Sequence, residues 1–244
     1  TTDPTDIKKL VLVKPTGSYA RRIWFLYEWL TETRLDVPDA IGGRYVLAVD
    51  HNLQWDVPPT SSRRHLVRNN LPGTPNFCPL VFRTKNLERF IGTDLQQRAR
   101  EIVAGVPVDL IARTAAFLLL KDSRASYAIE GEQAPQGRIQ RWGRAIGEAG
   151  RQPLDLEELL RLQRIVIEDP RFLSLGLRKE GGFVGEHDRD SRVPLPDHIS
   201  ARPEDLTSLV GGMVAFDRDY AQQLDPVVAA AVLAFGFIYA HPFE

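Results

Sequence analysis

The sequence has almost no sulfur: one cysteine, Cys78, and one methionine in 244 residues. A lone cysteine excludes an internal disulfide and fits a reducing compartment. An excess of either charge is missing too. With 31 basic against 32 acidic side chains, no whole-chain field draws the protein to nucleic acid or to a membrane surface. No apolar run reaches the roughly 18 residues that span a bilayer. Residues 1–15 carry Asp3, Asp6, Lys8, Lys9 and Lys14 around a short apolar patch, so no secretory leader is visible. These absences predict a cytoplasmic chain with no membrane partner, and they argue against nucleic acid. Histidine is scarce, and His51, His65 and Cys78 share no ligand spacing, so no zinc site is expected. Internal repeats and low-complexity segments are absent as well.

What remains is a composition 43% hydrophobic, enough to bury the core of one large domain or two small ones. After a polar lead, residues 10–13 look strand-like. The run 18–33 carries Ile23, Trp24, Leu26, Tyr27 and Leu30 at helical spacing, with Arg21 and Arg22 read as its solvated face. Residues 36–84 hold Gly42-Gly43, a short strand-like stretch at 45–49, Pro58-Pro59 and Pro72-Gly73, which predict irregular or hairpin structure. Arg63, Arg64, His65 and Arg68 form a basic cluster there, expected to hold a loop through contacts to carboxylates.

From Asn86 the pattern turns helical, with helices over 87–102 (broken near Gly92), 108–123 and 137–146. Asp155 is a plausible N-cap for a helix over 156–167. Residues 176–200 interrupt the pattern: glycines and Pro194 and Pro196 flank an alternating stretch at 183–186, which predicts a small β-hairpin or flap. Glu186, His187, Asp188 and Asp190 are read as charges at its tip rather than as metal ligands. Pro203, Glu204 and Asp205 open a further helix to about Asp219.

Two stretches carry chemistry. The first is the uncharged run 227–240, which Asp225 and Pro226 open as N-cap and first helical residue. A helix apolar all round predicts burial at the centre of a helical domain. It ends at His241, which titrates near neutral pH and suits proton transfer, and Pro242 stops the helix there. The second is Ser126-Tyr127-Ala128-Ile129-Glu130-Gly131. Ser126 and Glu130 lie four residues apart, on one face of a helix that Gly131 can terminate. Alone, that segment reads as an ordinary exposed helix end.

Taken in order, a helix carrying Ser-x-x-x-Glu-Gly, further helices, a Gly-rich hairpin and an apolar helix ending in His241-Pro242-Phe243 resemble the Fic family. The signature of that family is His-Pro-Phe-x-(Asp/Glu)-Gly-Asn-Gly-Arg-x-x-Arg. The likeness covers residues 85–244. It implies a mainly α fold: a Fic-type helical core with a small β-hairpin flap, preceded by a mixed α/β or irregular accessory region over 1–84. It further implies transfer of AMP from ATP, with Mg²⁺, onto a Ser, Thr or Tyr hydroxyl of a target protein. His241 would be the general base, with Pro242 and Phe243 as its motif support. Phe183, Val184 and Gly185 would belong to the flap beside target and nucleotide. Ser126, Glu130 and Gly131 would form an inhibitory helix near 122–131, which makes self-inhibition the expectation.

The chain opens at Thr1 without a methionine and stops at Glu244, the variable position after Phe243. The acid that would hold Mg²⁺, the Gly-Asn-Gly cradle and both arginines of the signature would follow. The expectation is therefore a chain cut within its signature, inactive as it stands and an enzyme when intact. Removal of AMP, or transfer of a phosphate or another nucleotide, is the alternative within the family. A non-catalytic regulatory or interaction module is the alternative outside it. The sequence leaves the target and a homo-oligomer open.

Overall fold

A computed structural model describes residues 3–129, 136–148, 150–166 and 175–243. Among them the protein is mainly α, with small β components. The chain folds as two units. One comprises residues 1–88 with 215–236, the other residues 89–214 with 237–244.

The first unit begins with helix α1 (Pro4–Val13). The strand expected at 10–13 is in fact the end of this helix. Asp3 caps it by accepting from the Thr5 N–H at 2.8 Å, Pro4 stands in its first turn, and Ile7 and Val11 bury the same face. A four-residue apolar run carries too little periodicity to separate strand from helix. Helix α2 (Ser18–Thr31) follows as expected. Its buried face is Ala20, Arg21, Trp24 and Phe25, while Ile23 and Leu30 are exposed. Arg21 is thus not on a solvated face: it donates to the carbonyls of Arg44 and Thr16 at 2.8 and 2.9 Å. Its two terminal nitrogens reach backbone, while its Nε is buried without a hydrogen-bond partner among the described residues.

Strands β1 (Val46–Leu47), β2 (Thr60–Ser62) and β3 (Val67–Asn69) form a sheet in the order β1-β3-β2. The β2–β3 hairpin is antiparallel, and β1 joins β3 in parallel with Val46 opposite Val67. Phe25 packs with Ala48, Val49, Val67 and Leu71 on this sheet. Trp24 joins Ile7, Val11, Leu35 and Val37 in a second cluster. Cys78 lies against the first cluster, and burial pushes its thiol up to about 12, so it is not a reactive nucleophile.

Between α2 and the hairpin turn lies a network of charges. Glu28 accepts from Arg64 Nη2 at 2.9 Å, the Trp24 indole at 2.7 Å and the Leu35 N–H at 2.9 Å. Arg64 also pairs with Asp39 and donates to the carbonyls of Leu35 and Val37. His65 Nε2 lies 3.1 Å from Glu28 and its Nδ1 lies 2.7 Å from Ser62 Oγ. Because an ionised Glu28 only accepts, Nε2 carries the proton. Burial by itself pushes the Glu28 carboxyl up, but the bonds from Arg64, Trp24 and Leu35 and the neighbouring His65 outweigh it and hold the group at about 2. For His65 burial dominates and lowers its affinity for a proton, against the opposing pull of Glu28. The expected arginine-to-carboxylate contacts are thus made by Arg64.

The second unit contains α4 (Leu95–Val103), α5 (Val108–Ile129), α6 (Gln136–Gly147) and α7 (Leu156–Val166). Helix α3 (Lys85–Ile91) straddles the division. Helices α5 and α6 pack together, as do α6 and α7. Asp155 caps α7 as its spacing predicts, accepting from the Glu158 N–H at 2.7 Å, while the Glu158 carboxylate turns to Arg161. Strands β4 (Phe183–His187) and β5 (Pro194–Ile199) make the expected antiparallel hairpin. Helices α8 (Pro203–Asp219) and α9 (Pro226–Ala240) contribute residues to both units.

Helix α9 departs from expectation. Val228, Ala229, Val232 and Ala240 are buried, but Val227 and Ile238 are 57% and 66% exposed. It is covered along one stripe rather than all round. Apolar composition sets the tendency of a helix to leave water; it does not supply enough neighbours to surround it.

Candidate functional site

The end of α9 is built by satisfying its carbonyls. The last turn of any helix leaves carbonyl oxygens without intrahelical partners, and they carry the negative end of the helix dipole. Phe237 O accepts from the His241 N–H at 2.8 Å. Tyr239 O lies 3.1 Å from Nε2 of His198, which therefore donates. Ala240 O accepts from Arg178 Nη2 at 3.1 Å. A cation and an imidazole from outside the helix thus take two of its last carbonyls.

His241 follows Ala240 in the left-handed region, at φ 43°. Glycine is the residue that usually takes this position after a helix. For a side chain with a Cβ the conformation costs roughly 1–2 kcal/mol, and the following Pro242 narrows the choices of His241 further. The histidine itself is exposed. Pro242 is fully buried, and the Phe243 ring, half-buried, sits 5.9 Å from that of Phe237. One exposed, titratable ring is thus set between a helix end and an anchored dipeptide.

Arg178 holds this turn. It is 5% exposed and donates from Nε to His241 O at 2.7 Å, from Nη1 to Glu180 O at 2.6 Å, and from Nη2 to Ala201 O as well as Ala240 O. Its backbone N–H donates to Pro242 O at 2.9 Å. Among the described residues, every bond from its guanidinium goes to a main-chain carbonyl. The buried charge is balanced by carbonyl dipoles at the end of α9 instead of by a carboxylate.

The hairpin stands beside the same helix end, since His198 belongs to β5. A bulge falls between Val184 and Gly185. A Cβ on Gly185 would come within 2.3 Å of Leu195 O, so only glycine allows the two strands to approach there. Among the described residues the hairpin has only two strands, which leaves both outer edges without a strand partner, and Val184, Leu195 and Ile199 are exposed. At its tip Asp188 Oδ1 accepts from Asp190 N, Ser191 N and Ser191 Oγ. Bonds from Ser191 foremost hold that carboxyl below its ordinary range.

Residues 153–244 match the family model of the Fic/DOC family. This stretch belongs to the Fic/DOC family. No curated protein matches the chain. Fic/DOC proteins generally transfer nucleotide or phosphate groups. The matched stretch contains α7, Arg178, the hairpin, α8, α9 and His241-Pro242-Phe243. Of the residues singled out from the sequence, Phe183, Val184 and Gly185 lie on β4, and His241, Pro242 and Phe243 follow α9. Helix α5 carries Ser126 in its backbone, upstream of the Fic/DOC match. Glu130 and Gly131 lie outside the described residues.

The described residues of the Fic/DOC stretch do not by themselves suit Mg²⁺ or a nucleotide phosphate. Among the described residues no three His, Cys, Asp or Glu side chains gather to hold a metal ion. The guanidinium of Arg178 is spent on carbonyls. Sequence reasoning misses Arg178 and His198. In the run Gly176-Leu177-Arg178-Lys179-Glu180 the arginine looks no different from the adjoining lysine; only burial separates them.

Proposed function

We propose that this chain is that of a self-inhibited protein adenylyltransferase. The observation that supports it best is the exposed His241, held left-handed at the end of α9 inside the Fic/DOC stretch. The His241 imidazole takes the proton of a Ser, Thr or Tyr hydroxyl on a target protein. That oxygen attacks the α-phosphorus of ATP, forming a P–O bond as the bond to the β-phosphate oxygen breaks and pyrophosphate leaves. In the family, Mg²⁺ and the phosphates are held by the acid, the Gly-Asn-Gly turn and the arginines of the signature. Phe243 anchors the turn against Phe237. Phe183, Val184 and Gly185 lie on a hairpin whose outer edges have no strand partner among the described residues, which suits capture of extended target backbone by strand addition.

Residues 1–84 are accessory to a core over 85–244. Ser126, Glu130 and Gly131 supply the inhibition: in the family, the glutamate of this motif pairs with the second arginine of the signature and keeps the γ-phosphate from seating productively. The test incubates the full-length protein and its Glu130→Gly variant with α-labelled ATP and Mg²⁺. Covalent label on protein should rise in Glu130→Gly and fall by about 10²–10⁴ when His241→Ala is added. A folded Glu130→Gly variant no more active than wild type refutes the inhibitory role. No label from either protein refutes the transferase.

A further inference from the structure

We infer that Arg178 is the residue that positions His241 for proton transfer, an inference that deepens the transferase reading and rests on it for its rate effects. Two backbone dihedral angles set the direction in which the Cα–Cβ bond of His241 leaves the chain. They are set once the peptide planes on either side of the residue are held. The plane before it is held by Arg178 Nη2 on Ala240 O and by the His241 N–H on Phe237 O. The plane after it is held by Arg178 Nε on His241 O, at 2.7 Å. The backbone N–H of Arg178 takes the next carbonyl, Pro242 O, at 2.9 Å. One residue thus grips three consecutive carbonyls around the base.

This grip opposes a definite tendency. A histidine at φ 43° relaxes toward negative φ unless its surroundings over-determine it, and that rotation would swing the imidazole to another direction. The fork geometry is essential. An arginine presents five N–H donors in one plane, and here they reach Glu180, Ala201, Ala240 and His241 together. A lysine offers a point charge with three donors and cannot span this set. Arg178 acts through His241 and touches no reacting atom, so it is a positioning residue.

The experiment compares the full-length Glu130→Gly protein with the same protein also carrying Arg178→Lys. Amide exchange at His241 should accelerate at least about tenfold in Arg178→Lys, while the amides from Leu206 to Met213 in α8 keep their protection. In the same variant kcat for AMP transfer should fall about 10²-fold, the effect of a displacement on the order of 1 Å, with KM for ATP held within about twofold. Loss of α8 protection alongside His241, or a parallel rise in KM, would mean a general structural role and overturn the proposal. So would a folded Arg178→Lys with unchanged His241 exchange and unchanged kcat. Should the Glu130→Gly protein transfer no label while His241 exchange still accelerates in Arg178→Lys, the transferase reading falls and the positioning of His241 by Arg178 stands. Should Arg178→Lys fail to fold, the wild type decides: a slowly exchanging Arg178 Nε–H signal supports the grip, and a rapidly exchanging one overturns it.

Discussion

Two largely buried arginines organise the two units, and they are satisfied in opposite ways. Arg64 meets carboxylates, those of Glu28 and Asp39, besides the carbonyls of Leu35 and Val37. Arg178 meets carbonyls alone among the described residues. The Glu28 carboxylate of the first hub titrates, and removing Arg64 strands its charge in a poorly hydrated place. Amide carbonyls do not titrate, and their number around Arg178 fixes backbone direction rather than charge balance. The Arg64 hub ties α2 to the hairpin turn and serves stability. The Arg178 hub ties three successive peptide groups around one exposed histidine, and its product is geometry.

The sharpest way to break this comparison is to remove Arg64. Arg64→Met leaves Glu28 ionised beside Trp24 and His65, and thermal or denaturant unfolding should show a loss of up to about 3 kcal/mol, the low end of what breaking a buried pair costs. A loss below about 1 kcal/mol would place the pair among ordinary surface contacts.

Acid should separate the hubs next. The Glu28 carboxyl is held at about 2 against an ordinary 4.5, so its contribution is complete above 4.5 and is lost as pH falls from there through about 2. His65 is also held below its ordinary 6.5. Below that pH the unfolded chain binds a proton that the folded one resists, and stability falls further with acid. The two effects add. Amide exchange near Trp24 should therefore accelerate as pH drops from 6.5 toward 3, after correction for intrinsic rates, before the bonds from Arg178 to Ala240 and His241 loosen. Loss of His241 protection ahead of Trp24 would contradict the distinction.

The smallest effect concerns the strained turn itself. His241→Gly relieves the left-handed conformation, and allowing for the extra freedom of an unfolded glycine the gain is about 0.5–1 kcal/mol. The same change removes the proposed base and should lower transfer by about 10²–10⁴. A small rise in Tm with loss of activity would mark His241 as a position where stability is given up for function. A fall in Tm would mean that its side chain has a structural role that exposure conceals.

Much of the fold is legible in the residues. Asp155 and Asp225 mark the starts of α7 and α9, because an N-cap is a local bond between neighbours, and both accept N–H groups as expected. Gly185 and the prolines around it signal a hairpin for the same local reason. The segment 10–13 misleads because four apolar residues fit either period, and the deciding cap lies upstream at Asp3. Arg21 misleads because charge predicts a wet face only where no backbone carbonyls wait for it.

The sequence by itself determined where α7, α9 and the hairpin begin, the His-Pro-Phe motif and the place of His241 at a helix end. Each follows from interactions within a few residues of chain, where identity and spacing are sufficient. Only the tertiary structure decided that one side of α9 remains exposed, that Arg178 is buried while Lys179 beside it is not, and that the arginine 63 residues upstream holds the carbonyl of His241. Those outcomes depend on which distant groups share a site. Hydrogen bonds to main-chain carbonyls leave no trace in the residue types they bind, because every residue has one.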